Sequence, residues 1–408
     1  MRGEGGDVRV SAKVCYQQYF ALDEGQDAAG LADALPQGAG EGSAGARALH
    51  DLGVASGFLY GDGLNFACER RAVPDGPTGV LANGRRIPVW DGHVLVSCFS
   101  DFPICQVSVC LAVRDVPVDD LVYLHQVQCA ALPLFSFREG PSSIPEFCRG
   151  LLASCGMSVR DGVGTTAYLC EVNAIEGVDV LADIDGRRRS MLYGVLTGDE
   201  GWAHVPAELA DRRYAEGWGT RSFVRAMAFH NNFLLVNLNA SRQSDEYLAG
   251  QRRFSADHWG GLNEYFTMDA PTAGVNHGLF FSVETGMFVR TLSDVVLAER
   301  SSLALGGRQR FLGREIERNK RLRADMVRAL NKVTELHISE MGELDAMVSR
   351  SLDVSERIKS IQTLLELLES ELELMYDTNT NRVVNLIAVI GLVFAALQVV
   401  VSIPSLFG

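Results

Sequence analysis

The chain has 408 residues, of which 47% are hydrophobic and 22% are charged, and this composition excludes collagen-like, purely coiled-coil and disordered proteins. Its 37 basic and 51 acidic residues leave a formal net charge of -14, which repels a phosphate backbone. We therefore expect two or three structural units and no nucleic acid partner.

Residues 1–290 predict an α/β or α+β domain, because short β-branched and aromatic runs alternate with amphipathic stretches. The predicted strands are Val8–Phe20, His93–Phe99, Ile104–Val113, Thr165–Val172, Met191–Leu196, Phe223–Phe229, Phe233–Leu238 and Leu279–Val283. The predicted helices are Asp119–Ala131, Ile144–Cys155 and Val205–Ala215. The Gly- and Ala-rich residues 23–45 predict a flexible loop, and His230-Asn231-Asn232 predicts a hairpin turn.

The cysteines and the N-terminus indicate a reducing compartment. All 9 cysteines lie within the first 170 residues, and no two of them have the C-x-x-C spacing of a zinc or redox motif. The first residues form no apolar segment of the kind a secretory signal needs. We expect buried, reduced thiols in the cytoplasm.

No motif in this domain predicts catalysis. Gly40–Gly45 matches a dinucleotide-binding pattern but follows no strand, and Asp183–Gly186 is a fragment of a calcium loop that reads more simply as a turn. Arg187–Arg189 suits a solvated corner, and His230, His258 and His277 show no ligand spacing. We therefore predict that the chain is not an enzyme and identify no cofactor from its residues.

Residues 291–382 predict a long antiparallel helical hairpin or coiled-coil stalk. Residues 314–350 form one amphipathic pattern, and a break at Ser351–Ser355 separates it from a second helix. The second helix carries a heptad seam of Ile358, Ile361, Leu365, Leu368, Leu372 and Met375. A single bent coiled coil is the alternative.

Val383–Ile403 contains 21 consecutive residues without a charged side chain, followed only by the short tail 404–408. As a helix it would be about 32 Å long, which spans a bilayer core. The sequence therefore predicts a single C-terminal transmembrane helix, a tail anchor, in the cell (inner) membrane. The positive-inside rule then assigns the large N-terminal domain to the cytoplasm.

Two sets of candidate site residues follow from this arrangement. Carboxylates of the stalk would attract cations, or would serve only as a charged outer face of the coiled coil; they are Glu366, Glu369, Glu373 and Asp377. Small and polar residues share one face of the last helix and would face a pore or a tight helix bundle; they are Asn381, Asn385, Gly391, Ala395, Gln398 and Ser402.

Tyr376–Arg382 resembles the junction between the stalk and the first membrane helix in the CorA-type divalent-cation transporter family. The apolar positions that follow this segment share the resemblance; they are Leu386, Ile387, Ile390, Phe394 and Leu397. The family's Gly-Met-Asn signature and second membrane helix are absent from the chain. The resemblance implies a cytoplasmic α/β domain, a helical hairpin and a pentameric funnel. It also implies Mg²⁺ or another divalent cation.

These features together predict a membrane-anchored, homo-oligomeric CorA-like protein in which the cytoplasmic domain controls a transmembrane helix bundle. Its function would be ion transport through a channel or another effect on the membrane. One alternative is a non-conducting, tail-anchored sensor or scaffold protein, and another is a membrane-tethered enzyme of unknown class. A cytoplasmic ligand or protein partner fits each of them.

Overall fold

The computed structural model describes residues 8–23, 26, 68–73, 76–82, 85–99, 103–127, 135–137, 140–238, 277–305, 324, 339–364, 366–367, 370, 374, 381, 384–385 and 387–392. Most of the predicted loop 23–45, including Gly40–Gly45, and nearly all of the predicted helix upstream of residue 339 lie outside these ranges. The predicted division into domains at residues 290 and 382 stays a prediction.

Twelve described strands form two sheets. The strands are β1 Arg9–Leu22, β2 Cys68–Val73, β3 Gly79–Ala82, β4 Arg85–Pro88, β5 Asp91–Phe99, β6 Ile104–Pro117, β7 Phe135–Phe137, β8 Gly140–Ser142, β9 Val159–Ile175, β10 Trp218–Arg221, β11 Val224–Phe229 and β12 Asn232–Asn237. The 8-stranded sheet has the order β10-β11-β12-β9-β1-β6-β5-β2, and the 4-stranded sheet has the order β4-β3-β7-β8. In the larger sheet β12 runs parallel to β9, and the other neighbours are antiparallel.

Both faces of the large sheet are covered. In β1, Val14 and Tyr16 belong to one buried cluster, while Cys15 and Tyr19 belong to the other. Successive side chains of a strand point to opposite faces, so a strand buried on both faces is apolar nearly throughout. In β1 the polar side chains Lys13, Gln17 and Gln18 are buried as well, and the β-branched and aromatic residues are the signal that predicts this strand from the sequence.

Four helices lie against the first face, together with the small sheet. They are α1 Val118–Gln126, α2 Ile144–Ser154, α3 Gly186–Thr197 and α4 Ala207–Ala215. Helix α2 begins with a capping box in which the hydroxyl of Ser143 accepts from the backbone N–H of Glu146. Helix α3 is capped by Asp185, whose carboxylate accepts from the backbone N–H of Arg188 at 2.8 Å.

The second face is covered by helices from the C-terminal part of the chain. They are α5 His277–Leu305, α6 Ser339–Ser351 and α7, residues 354–364. On α5, Phe288 is fully buried, and its ring lies 4.9 Å from that of Phe99 on β5. Val348 of α6 and Ile361 of α7 are buried in the same cluster. The described fold is thus a three-layer arrangement with the large sheet in the middle.

Most predicted elements of the α/β domain correspond to observed ones, with boundaries shifted by a few residues. The corresponding strands are β1, β5, β6, β9, β11 and β12, and the corresponding helices are α1, α2 and α4. Two predicted strands are wrong, because Met191–Leu196 lies in α3 and Leu279–Val283 lies in α5. Both are short buried apolar runs, which periodicity alone cannot assign to a strand or a helix.

The predicted long hairpin or coiled-coil stalk is also wrong. Helix α6 ends at Ser351, residues 352–353 form a turn, and α7 starts at residue 354, so the break falls within the predicted interval. However, the apolar positions of these helices pack on the sheet of their own chain: Leu344, Met347, Val348, Leu352, Val354, Ile361 and Leu364 are all buried there. At this end the heptad positions Ile358 and Ile361 thus pack in the core of their own chain, while Leu365, Leu368, Leu372 and Met375 lie outside the described residues.

The predicted C-terminal transmembrane helix is corrected as well. Within the described residues, no helix combines the length and the apolar character that crossing a bilayer requires. Of Val383–Ile403, residues 384–385 and 387–392 are described, and they are helical and exposed. The prediction of a tail-anchored, single-pass protein of the inner membrane is therefore wrong.

Candidate anion-binding cleft

A cleft of about 560 Å³ lies where the sheet meets the C-terminal helices. It is lined by residues 164–166 of β9, residues 230–232 around the β11–β12 turn, Arg290 of α5, residues 351–353 between α6 and α7, and Arg357 of α7. We call it the hairpin cleft. Its volume is within the range of small-molecule sites, about 300–1,000 Å³.

The β11–β12 turn forms one wall of the hairpin cleft. The sequence predicts this turn because asparagine tolerates a positive φ, but the residue with a positive φ, 54°, is His230. The turn is fixed from the helical side, since the hydroxyl of Ser351 donates to the carbonyl oxygen of His230 at 2.8 Å. The turn between α6 and α7 also lines the cleft, and Asp353 there has a φ of 54° as well.

Positive φ at a residue other than glycine costs free energy, and such residues occur more often at functional sites. Two of the three described non-glycine residues with positive φ, His230 and Asp353, line this one cleft. The third, Asp115, lies elsewhere and pairs with Arg9 at 2.7 Å.

Two arginines converge on the hairpin cleft. The guanidinium of Arg290 donates to the side-chain oxygen of Asn231, and the amide nitrogen of Asn231 donates to the carbonyl oxygen of Thr166 at 3.2 Å. Nε of Arg357 donates to the carbonyl oxygen of Leu352 at 3.3 Å. A guanidinium carries five N–H donors, so each arginine keeps donors beyond this bond to a described residue.

The two guanidinium groups also influence each other electrostatically. Burial lowers the pKa of Arg290, and the positive charge of Arg357 lowers it further, while Asp294 and Asp353 act in the opposite direction. Arginine nevertheless stays charged at neutral pH. Two like charges in a partly buried cleft are unfavourable. Asp353, which also lines the cleft, offsets part of this repulsion, and a bound anion would offset more of it.

Arg188 and Arg189, singled out in the sequence, serve the fold. Arg187–Arg189 lies in the first turn of α3 and not in a loop, and Arg187 is exposed as predicted. Arg188 pairs with the capping residue Asp185 at 3.0 Å, and Arg189 pairs with Asp211 at 2.9 Å. The segment Asp183–Gly186 accordingly supplies a helix cap.

Most of the cysteines whose side chains the structure describes are buried. Seven such cysteines are free, and six of them are buried; they are Cys15, Cys98, Cys105, Cys110, Cys148, Cys155 and Cys170, with Cys155 the partly exposed one. Burial raises the pKa of the Cys148 thiol, which disfavours the thiolate that nucleophilic chemistry needs. The prediction of buried thiols is confirmed for those six.

The predicted cation and pore residues are only partly described. Glu366, Asn381, Asn385 and Gly391 are helical and exposed. The remaining members of both sets lie outside the described residues: Glu369, Glu373, Asp377, Ala395, Gln398 and Ser402. No three His, Cys, Asp or Glu side chains in the described part of the chain are grouped so that they could hold a metal. Both sets, and the divalent cation, stay predictions.

Sequence reasoning did not identify Arg290 and Arg357. They lie on separate helices with no local motif around them, and only the packing of α5 and α7 on the sheet brings them to the same turn. The one signal in the sequence was the His-Asn-Asn turn, which predicts a hairpin but not a binding site.

A scan of protein-family models found no match to the chain, and searches of curated proteins and of solved structures found none either.

Proposed function

We propose that the chain is a ligand-sensing protein whose α/β domain binds a phosphate-type anion in the hairpin cleft. The observation that carries the proposal is the pair of guanidinium groups, Arg290 and Arg357, which line the same cleft and are both partly buried. Guanidinium groups match the geometry of phosphate and carboxylate oxygens, and hydrogen bonds between charged groups are about twice as strong as neutral ones.

The position of the hairpin cleft supports a sensing role. Its walls include the turn at residues 352–353 between α6 and α7, so an anion bound there would hold α7 through Arg357 and α5 through Arg290. Ligand contacts that differ between two arrangements of a hinge shift the population of those arrangements. The change in hinge arrangement caused by anion binding would in this way reach the chain that follows α7.

This proposal retains the sensor alternative of the sequence analysis without its membrane anchor. The resemblance to CorA-type transporters is in keeping with an α/β domain that controls the helices following it. Ion transport, homo-oligomerisation and the absence of enzymatic activity stay predictions that rest on the sequence alone.

The test is a calorimetric titration with inorganic phosphate at low ionic strength, with chloride as the reference anion. We expect binding to the full chain, and at least roughly tenfold weaker binding to the Arg357→Gln variant, because a hydrogen bond to a charged group contributes about 1.5–3 kcal/mol. Arg149→Gln is the matched control, since it removes the same charge from an exposed position on α2.

The control variant should bind phosphate as the unchanged chain does. If phosphate does not bind at all, or if both variants lose affinity equally, the hairpin cleft is not the anion site and the proposal fails.

A further inference from the structure

A second cleft adjoins the hairpin cleft. It has a volume of about 420 Å³, and its lining includes Arg213, Gly217, Met347, Arg350 and Ser351. Ser351 lines both clefts, so the two meet at the C-terminal end of α6. We call the second one the α6 cleft.

The α6 cleft adds two further guanidinium groups. Arg350 is exposed near the end of α6. Arg213 is held in place, because it pairs with Glu216 at 3.4 Å and its guanidinium lies 5.5 Å from the ring centre of Phe229. The side chain of Arg213 lines the cleft and is 32% exposed, so a ligand could reach its guanidinium group.

Phe229 lies near a lining residue of each cleft. Its ring centre is 5.5 Å from the guanidinium of Arg213 and 4.5 Å from the ring centre of His230, which lines the hairpin cleft. Arg350 and Arg357 lie on opposite sides of the turn at residues 352–353. Each cleft is thus lined by two arginines, and the two clefts share Ser351.

We propose that the two clefts form one groove and that its ligand is a linear molecule with two anionic groups, one bound by Arg290 and Arg357 and the other by Arg213 and Arg350. Oligophosphates are the simplest ligands with this chemistry. The inference rests on the proposed function, because it assigns a second anionic group to the ligand of the hairpin cleft.

The test compares inorganic phosphate with tripolyphosphate at constant ionic strength. A longer anion binds any basic surface more tightly, so the decisive comparison is between variants. We expect Arg350→Gln to weaken tripolyphosphate binding about tenfold or more while phosphate affinity stays within about twofold. Arg357→Gln should weaken both ligands, and Arg149→Gln should change neither.

Arg350 is exposed, so its substitution should leave folding intact, and Arg213→Gln provides a second variant with the same expected pattern. If Arg350→Gln and Arg213→Gln leave tripolyphosphate affinity unchanged while Arg357→Gln still weakens phosphate, the extended groove is wrong and the hairpin cleft stands. If Arg357→Gln weakens neither ligand, both proposals fail.

Discussion

At the scale of single residues, burial changes the pKa of His125, and this change cannot be read from the sequence. This histidine lies in α1, stacks on the ring of Tyr168 with centres 4.4 Å apart, and its Nδ1 is 2.8 Å from the carbonyl oxygen of Val195. Burial lowers the pKa of His125 below its ordinary value of 6.5, although the hydrogen bond to Val195 opposes this effect. The sequence predicts the helix around His125 but not this pKa.

The lowered pKa makes stability depend on pH. Because the unfolded chain takes up a proton on His125 at higher pH than the folded chain does, the free energy of unfolding should fall as pH drops below about 6.5. One such proton gives a slope of at most about 1.4 kcal/mol per pH unit. We expect His125→Gln to flatten the curve of unfolding free energy against pH between about pH 7 and the folded pKa. Urea unfolding across this range measures it, and an unchanged slope would assign the pH dependence to other groups.

At the scale of secondary structure elements, the sequence predicts strands well where both faces are buried, and fails where a helix is buried on most sides. The run Leu279–Val283 has the composition of a strand but belongs to α5, most of whose described side chains are buried between the sheet and α6. The spacing of Ile358 and Ile361 indicates an apolar helical stripe, yet spacing cannot say whether the stripe meets its own sheet or another chain.

The anchoring of α5 can be tested at Phe288. Replacing this fully buried side chain with alanine leaves a cavity against Phe99, and we expect a loss of about 3–5 kcal/mol in the free energy of unfolding. Leu297→Ala on the same helix is the control, because Leu297 is 47% exposed and should cost less than about 1 kcal/mol. Chemical denaturation compares the two, and equal costs would contradict the packing of α5 on the sheet.

At the scale of the whole molecule, the hairpin cleft gathers guanidinium groups in a chain with a net charge of -14. Its parts come from β9, the β11–β12 turn, α5 and α7, which are distant in sequence. Composition and local patterns predict the strands on either side of the turn. They cannot predict that two helices place Arg290 and Arg357 beside it, because that depends on tertiary packing.

The described helical residues beyond α7 present large apolar side chains to the surroundings, including Leu374 at 66% and Leu392 at 74% exposure. Exposed apolar surface of this kind often marks a contact with another molecule. Association with further copies of the chain stays a prediction of the sequence analysis.

The central claim is that a phosphate-type anion binds between Arg290 and Arg357. It is tested most directly by a crystal structure of the full chain soaked with arsenate, a phosphate analogue whose arsenic atom can be located by anomalous scattering. We predict an anomalous peak in the hairpin cleft, with arsenate oxygens within hydrogen-bond distance of both guanidinium groups, about 2.7–3.2 Å. An empty hairpin cleft in a crystal that holds arsenate at other arginines would contradict the account.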